Sequence, residues 1–197
     1  MKNNRSSLEH PHFVQQAITK YLKDGSIEEC SCHPFSVNPL TVVDGKKLRL
    51  VIDLRHVYQC LIVPKFKYED LRSLAQVIDQ GHWFFTWDLK YGYQNVSIYQ
   101  NHQQYLGFAW RFGHITRYFT FRVLPFSLSS ACFFFTKILR PLVKCWCILG
   151  LNILVYLDDG IGIQADKGSA QAASMIQRKD LLASGFVINE EKSHWTP

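Results

Sequence analysis

The chain has no apolar run long enough to cross a bilayer. Its longest, Cys145 to Leu157, is broken by Asn152 and falls short of the ~20 residues a spanning helix needs. The N-terminal MKNNRSSLEHPHF lacks the apolar core of a secretory signal. An intracellular protein of cytoplasm or nucleus, without a membrane partner, is therefore expected. No Walker loop, repeat or low-complexity tract occurs. Acidic residues are in deficit: 16 Asp and Glu face 22 Lys and Arg, a formal net charge of +6 with a pI near 9.0. That surplus favours an anionic partner, nucleic acid first. The six cysteines include two Cys-x-Cys pairs, CSC at 30–32 and CWC at 145–147. One intervening residue is fewer than paired zinc ligands usually leave, and inside a cell these read as reduced thiols. The triplets at Asn4 and Asn95 match the glycosylation pattern only by chance in such a chain.

What is present is apolar and aromatic: 47% hydrophobic and 14% aromatic in 197 residues, enough to bury a core. PHFVQQAITKYLKDG predicts a helix with Phe13, Val14, Ala17, Ile18, Tyr21 and Leu22 on one stripe and Gly25 as its stop. NPLTVVDGKKLRLVIDLR reads as two strands around an Asp44-Gly45 turn, crowded by Lys46, Lys47, Arg49 and Arg55. YEDLRSLAQVIDQG predicts a second amphipathic helix with Leu71, Leu74, Ala75 and Ile78 inward. A strand through Asp88 ends at Gly92, and YLGFAW and TRYFTFRVL supply two more. LPFSLSSACFFFTKILRPLV passes from a loop into an apolar helix, with Ser129 or Ser130 as a cap. LVYLDDGIG, the helix SAQAASMIQRKDLLASG and a last strand FVIN complete an irregular alternation. The pattern implies an α+β fold, a mixed sheet with helices on one face.

Two strands run into carboxylates, at Asp88 and at Asp158-Asp159. A strand-end carboxylate is costly unless exposed, paired or bound to a cation. If the strands are neighbours, three carboxylates converge and need divalent cations to stay ionised together. Hard oxygen ligands suit magnesium, and two such ions serve nucleotidyl transfer. The bland reading of Asp159-Gly160 is a hairpin turn. GIGIQA also fits a loose dinucleotide-binding pattern with Asp180 downstream, but the helix should then begin within the glycine loop, and here it starts after QADKG.

These pieces together resemble the reverse transcriptases over nearly the whole chain. LRLVIDLR, FFTWDLKYGY, LPFSLSSACFFFTKILRPLV, LVYLDDGIG and GFVINEEKS stand in the family's order. The wording of VIDLRHV, LSSACFFFTKILRPLV and VYLDDGIG is most similar to the tyrosine-recombinase, DIRS-like group of retrotransposons. The resemblance implies a right-hand fold with fingers at roughly 1–83 and 101–123 and palm at 84–100 and 124–197. It implies that Asp88, Asp158 and Asp159 are catalytic and, with the Leu89 carbonyl, hold two magnesium ions, manganese being able to replace them. Arg49, Lys46 and Lys47 fall where the incoming triphosphate is held, Tyr93 at the gate against a ribose 2′-hydroxyl, and Phe126 and Ser127 along the nucleotide pocket. Tyr156 lies near the primer terminus, and Lys192 matches the late palm lysine that protonates pyrophosphate. The implied partners are an RNA or DNA template with its primer, deoxynucleoside triphosphates, and the thumb and ribonuclease H segments of a longer polyprotein, which are not found before Pro197. Ser127 stands where the family has glycine, Tyr91 where a small residue is common, and Tyr58 where asparagine is. These departures keep a second expectation open, an inert remnant that at most binds nucleic acid.

Overall fold

The computed structural model describes residues 2–63, 65 and 78–197. The helix expected over YEDLRSLAQVIDQG falls outside these residues apart from its end, where Ile78 is half exposed. Contacts divide the chain into two compact units, Met1–Val63 with Tyr93–Ala131 and Pro64–Gly92 with Cys132–Pro197. This partition groups Tyr93 to Ala131 with the N-terminal residues, whereas the fingers–palm reading begins its palm segments at 84 and 124.

In the first unit, α1 (Arg5–Glu9) leads into α2 (Pro11–Lys23). Pro11 suits a first helical turn, where its missing N–H costs no bond. Val14 and Ile18 are fully buried and Phe13, Tyr21 and Leu22 pack partly against the same core. Gly25, at φ +70°, ends the helix in the left-handed conformation glycine adopts without strain. The sheet runs in the order β1 (Ile27–Cys30), β7 (Ile115–Phe121), β6 (Gly107–Phe112), β2 (Val37–Asn38). Its β2–β6 pairing is parallel and the others antiparallel, so the sheet is mixed as expected. Phe108 and Phe119 stack at its centre with centroids 5.2 Å apart. A separate hairpin joins β3 (Leu40–Val43) and β4 (Arg49–Ile52), with Val43 opposite Arg49. Residues 44–48 form its loop, longer than an Asp44-Gly45 turn alone. Short helices α3 (Arg55–Tyr58) and α4 (Gln100–Gln103) complete the unit. Arg55 grips Asp53, which lowers the Asp53 pKa to about 2, chiefly through their hydrogen bonds.

In the second unit, β5 (Trp83–Asp88), β9 (Asp159–Gln164) and β8 (Asn152–Tyr156) form an antiparallel sheet in that spatial order. Side chains alternate across a strand. Phe85 and Trp87 are buried, toward α5 (Ala131–Ile148) and α6 (Lys167–Ala183). Trp87 meets Trp146 edge-on at 6.3 Å and donates from Nε1 to Gln177 Oε1 at 3.0 Å. Trp146 Nε1 donates to Asp180 Oδ2 at 2.8 Å. Asp88 belongs to the opposite set of positions, and helices and acids therefore occupy different faces of the sheet. α5 continues through Pro141 to Ile148 and carries Cys145 and Cys147 exposed. The expected strand FVIN is a single bridge from Ile188 to Leu89, because the chain turns at Asn189 instead of running on along β5. Among the described residues no helix is long and apolar enough to cross a membrane.

Candidate active site

β5 and β9 pair antiparallel in the register that sets Asp88 directly opposite Asp159. Tyr156 on β8 pairs with the same Asp159, which leaves Leu157 and Asp158 as a two-residue hairpin loop. Leu157 has φ +56° and Asp158 does not share the positive sign, the pattern of a turn whose first central position is left-handed. The turn therefore lies two residues earlier than Asp159-Gly160. Gly160 instead lies inside β9, facing Trp87, and Gly162 faces Phe85. A Cβ at either glycine would penetrate the ring opposite. Glycine is required here for close approach, not for turn geometry.

The Asp88 side chain is 12% exposed. Its Oδ1 accepts from Asn189 Nδ2 at 2.7 Å, and Oδ2 lies 3.3 Å from Lys192 Nζ. Asp159 hydrogen-bonds to the Asp88 carboxylate across the strand pair. Desolvation first, then the charges of Asp158 and Asp88, raise the Asp159 pKa, with Lys192 opposing them. The Asp158 carbonyl accepts from the Leu89 N–H at 2.8 Å, tying the turn to the end of β5. A methyl on Gly92 would lie 3.7 Å from both Cβ and Oδ2 of Asp158, which places that carboxylate beside the chain leaving β5. Tyr156 is 47% exposed just before the turn. Among the described residues no three His, Cys, Asp or Glu side chains gather closely enough to hold an ion by themselves. The expected three-way convergence is thus a contacting pair, Asp88 and Asp159, with Asp158 adjacent in the turn.

Asn189 and Ser193 were not singled out by the sequence reading, although both lie in GFVINEEKS. Their signal was the short polar run around Lys192. The dinucleotide-binding alternative fails on topology: β8 and β9 form an antiparallel hairpin, and α6 begins only at Lys167, capped by Asp166, whose side chain accepts from the Ser169 N–H.

Residues 36–197 match the family described as reverse transcriptase (RNA-dependent DNA polymerase). The chain belongs to the reverse transcriptase family. It is 25% identical over 191 residues to the Retrovirus-related Pol polyprotein from transposon gypsy of Drosophila melanogaster, covering 93% of this chain and 18% of that protein. It is 29% identical over 157 residues to the genome polyprotein of Petunia vein clearing virus (isolate Shepherd), covering 76% of this chain and 7% of the polyprotein. An RNA-directed DNA polymerase homolog of Oenothera berteroana is 30% identical over 112 residues, with 57% of this chain and 75% of that one covered. A foamy viral protease-reverse transcriptase in complex with dsDNA superposes on all of this chain and 40% of its own, with a TM-score of 0.79 and 22% identity. The fold is thus the α+β fingers and palm of a reverse transcriptase, and the chain is such a domain from a retroelement or viral polyprotein. It spans only a small part of the polyproteins it matches.

In the first unit, the residues that the resemblance leads one to expect at the nucleotide lie in two places. Lys46, Lys47 and Arg49 are exposed on the β3–β4 loop and the start of β4. Tyr93, half-buried, meets the exposed Phe126 edge-on at 5.2 Å. Tyr58 packs against the core, and its hydroxyl is hydrogen-bonded to the backbone of Ser129, three residues beyond Phe126. Ser127 does not have positive φ, so the backbone strain that a glycine-preferring site would impose is absent. Its hydroxyl is buried without a hydrogen-bond partner, which carries a desolvation cost instead.

The departure from family pattern that does store strain is Tyr91, at φ +66°. Its ring is 47% exposed, with Lys90 Nζ 5.5 Å from the centroid. A side chain in the left-handed region costs roughly 1–2 kcal/mol, and little packing offsets it. Tyr91→Gly is expected to raise stability by about 0.5–1 kcal/mol, the relief of strain being offset partly by the entropy of glycine. Urea unfolding measures it; a loss of stability would show that the Tyr91 ring contributes more than its exposure suggests.

Proposed function

We propose that this chain is the catalytic core of an RNA-directed DNA polymerase, extending a primer 3′-hydroxyl with deoxynucleoside triphosphates. The observation that carries the reading is the meeting of Asp88 with Asp159 on the sheet face away from the helices, with Asp158 in the adjoining turn. The donor set fits divalent cations: all are hard oxygens, and among the described residues only Lys192 forms an ion pair with Asp88. With no three side chains sufficient by themselves, the Leu89 carbonyl, water and substrate phosphates would complete the coordination, as magnesium favours. When bound, two magnesium ions, or manganese in their place, supply activation of the primer hydroxyl and stabilisation of the leaving oxygen.

The chain's own groups do the positioning. Asp88 and Asp158 are the principal ligands and Asp159 the secondary one. Lys192, with its side chain 67% exposed, has the freedom to donate a proton to the departing pyrophosphate. Arg49, Lys47 and Lys46 hold the triphosphate. Tyr93, braced by Phe126, blocks a ribose 2′-hydroxyl, which favours deoxynucleotides and argues against an RNA replicase. Phe126 and Ser127 line the sugar and base, and Tyr156 supports the primer end. VIDLRHV, LSSACFFFTKILRPLV and VYLDDGIG support an origin in a DIRS-like element, acting in cytoplasm or nucleus.

Primer extension on poly-rA/oligo-dT with magnesium tests the activity, using this chain alone and joined to a reverse transcriptase thumb. Magnesium-dependent dTMP incorporation that disappears in Asp158→Ala is expected. Primer–template affinity should fall steeply with salt as counterions are released. Salt-sensitive binding without incorporation in either form would favour the inert remnant, for which the orphaned Ser127 hydroxyl is the specific observation. Ser127→Gly should raise incorporation several-fold with melting temperature nearly unchanged, because loss of the unsatisfied hydroxyl offsets the added chain entropy. Equal rates would remove the main support for the inert reading.

A further inference from the structure

Asp88 is held by a closed ring of hydrogen bonds that its charge alone does not require. The Asn189 N–H donates to the Asp88 carbonyl at 2.9 Å, and Asn189 Nδ2 donates to Asp88 Oδ1 at 2.7 Å. From the other side, the Asp88 N–H donates to Ser193 Oγ at 3.1 Å. Ser193 closes the ring, donating from Oγ at 2.8 Å and from its N–H at 3.0 Å to the Asn189 carbonyl. One turn, Asn189 to Ser193, thereby grips the backbone N–H, the backbone carbonyl and one carboxylate oxygen of a single residue. A further bridge, Leu89 to Ile188, anchors the turn to the end of β5.

We infer that Asn189 is a positioning residue that orients the Asp88 carboxylate for a divalent cation, an inference that rests on the reading of Asp88 as a metal ligand. A carboxylate on one Cβ can rotate about two bonds. The Nδ2 donor engages Oδ1 and turns Oδ2 outward, where Lys192 Nζ stands 3.3 Å away. Because Oδ1 can only accept from a neighbour that donates, the amide orientation is set by chemistry. Asparagine meets the need because its short side chain and its own N–H reach two acceptors of the same residue. Aspartate in its place would set a further negative charge against the pair Asp88 and Asp159. Lys192 then acts as a placeholder on the second oxygen, Oδ2, and a cation must displace it. Hydrogen bonds to a ligating group commonly contribute 10–100-fold to metal affinity.

The test measures Mn2+ binding to the 197-residue chain by electron paramagnetic resonance, with primer extension run in parallel. Asn189→Ala should weaken Mn2+ binding by about 10-fold or more with the melting temperature little changed. Ser193→Ala, which frees the ring without touching Oδ1, should weaken it by less. Lys192→Gln, which removes the competitor, should tighten it. In extension, Asn189→Ala should lower kcat at low metal and recover toward wild type at high metal, with KM for the deoxynucleotide unchanged. Folded Asn189→Ala with Mn2+ affinity within twofold of wild type overturns the inference. If alanine does not fold, Asn189→Ser keeps the backbone bond without the reach to Oδ1; loss of folding there too makes the residue structural and overturns it. Asn189-dependent Mn2+ binding in a chain that never extends a primer sinks the polymerase reading and leaves the positioning role standing. Extension with metal affinity indifferent to Asn189 does the reverse.

Discussion

Asp88→Asn is expected to lower primer extension by about a thousandfold or more, since it removes a principal cation ligand from a reaction that proceeds by charge stabilisation. The fold should survive, because the asparagine side chain keeps an oxygen for Asn189 Nδ2 to reach. Melting temperature within a few degrees of wild type is the check that the loss is chemical. Asp159→Asn supplies the contrast. Its carboxyl is raised by desolvation and by Asp158 and Asp88, so its ionised form opposes folding. The sign follows: the group favours the folded state as pH falls through its raised value, and that gain is complete below the ordinary carboxylate range. In metal-free buffer at neutral pH, Asp159→Asn should raise the melting temperature, by about 1–2 °C after allowing for solvent screening. It should also flatten the rise in stability between neutral and mildly acidic pH. Activity should fall in the same variant. A lower melting temperature would mean that the hydrogen bond between Asp159 and Asp88 contributes more than the repulsion the substitution relieves.

Gly160→Ala should cost about 2–4 kcal/mol, or roughly 4–16 °C in melting temperature for a chain of this size. The reason is that a Cβ there would enter the Trp87 ring, which is buried at 1% exposure and held by its bond to Gln177. Were Gly160 a turn residue, as Asp-Gly suggests, alanine would cost only about 1 kcal/mol. Trp87→Leu in the same background decides between the two. Alone it should cost about 2–4 kcal/mol through lost packing and an unpaired Gln177 oxygen. Combined with Gly160→Ala, the two costs should fall short of their sum by 1 kcal/mol or more, because the smaller side chain makes room for the methyl. Simple additivity would remove the steric account.

Gly160 also shows where local reading stops. A glycine after two aspartates, flanked by apolar residues, carries the same signal whether it bends the chain or admits a ring. Only the partner strand distinguishes them, and that strand lies far away in sequence. Tyr91 is similar. Its place in a position usually small was visible, but its positive φ follows from how the chain leaves β5 beside Asp158. For Ser127 the local argument pointed to strain, and the backbone around it instead adopts an ordinary conformation, leaving a buried hydroxyl as the cost.

By itself the sequence determined the elements whose signals are local. The stripe Val14–Ile18 and the stop at Gly25 define α2. The alternation of WFFTWD places Asp88 on the face opposite Phe85 and Trp87, and the order of motifs identifies the family. These are set by periodicities of 3.6 and 2 residues and by backbone chemistry within a few positions. The tertiary structure alone decided the strand register that joins Asp88 to Asp159, the turn at Leu157-Asp158, and the grip of Asn189 and Ser193 on Asp88. The register and the grip depend on hydrogen bonds between segments distant along the chain, and the turn follows from the register of the hairpin; packing chooses these partners, and no local periodicity does.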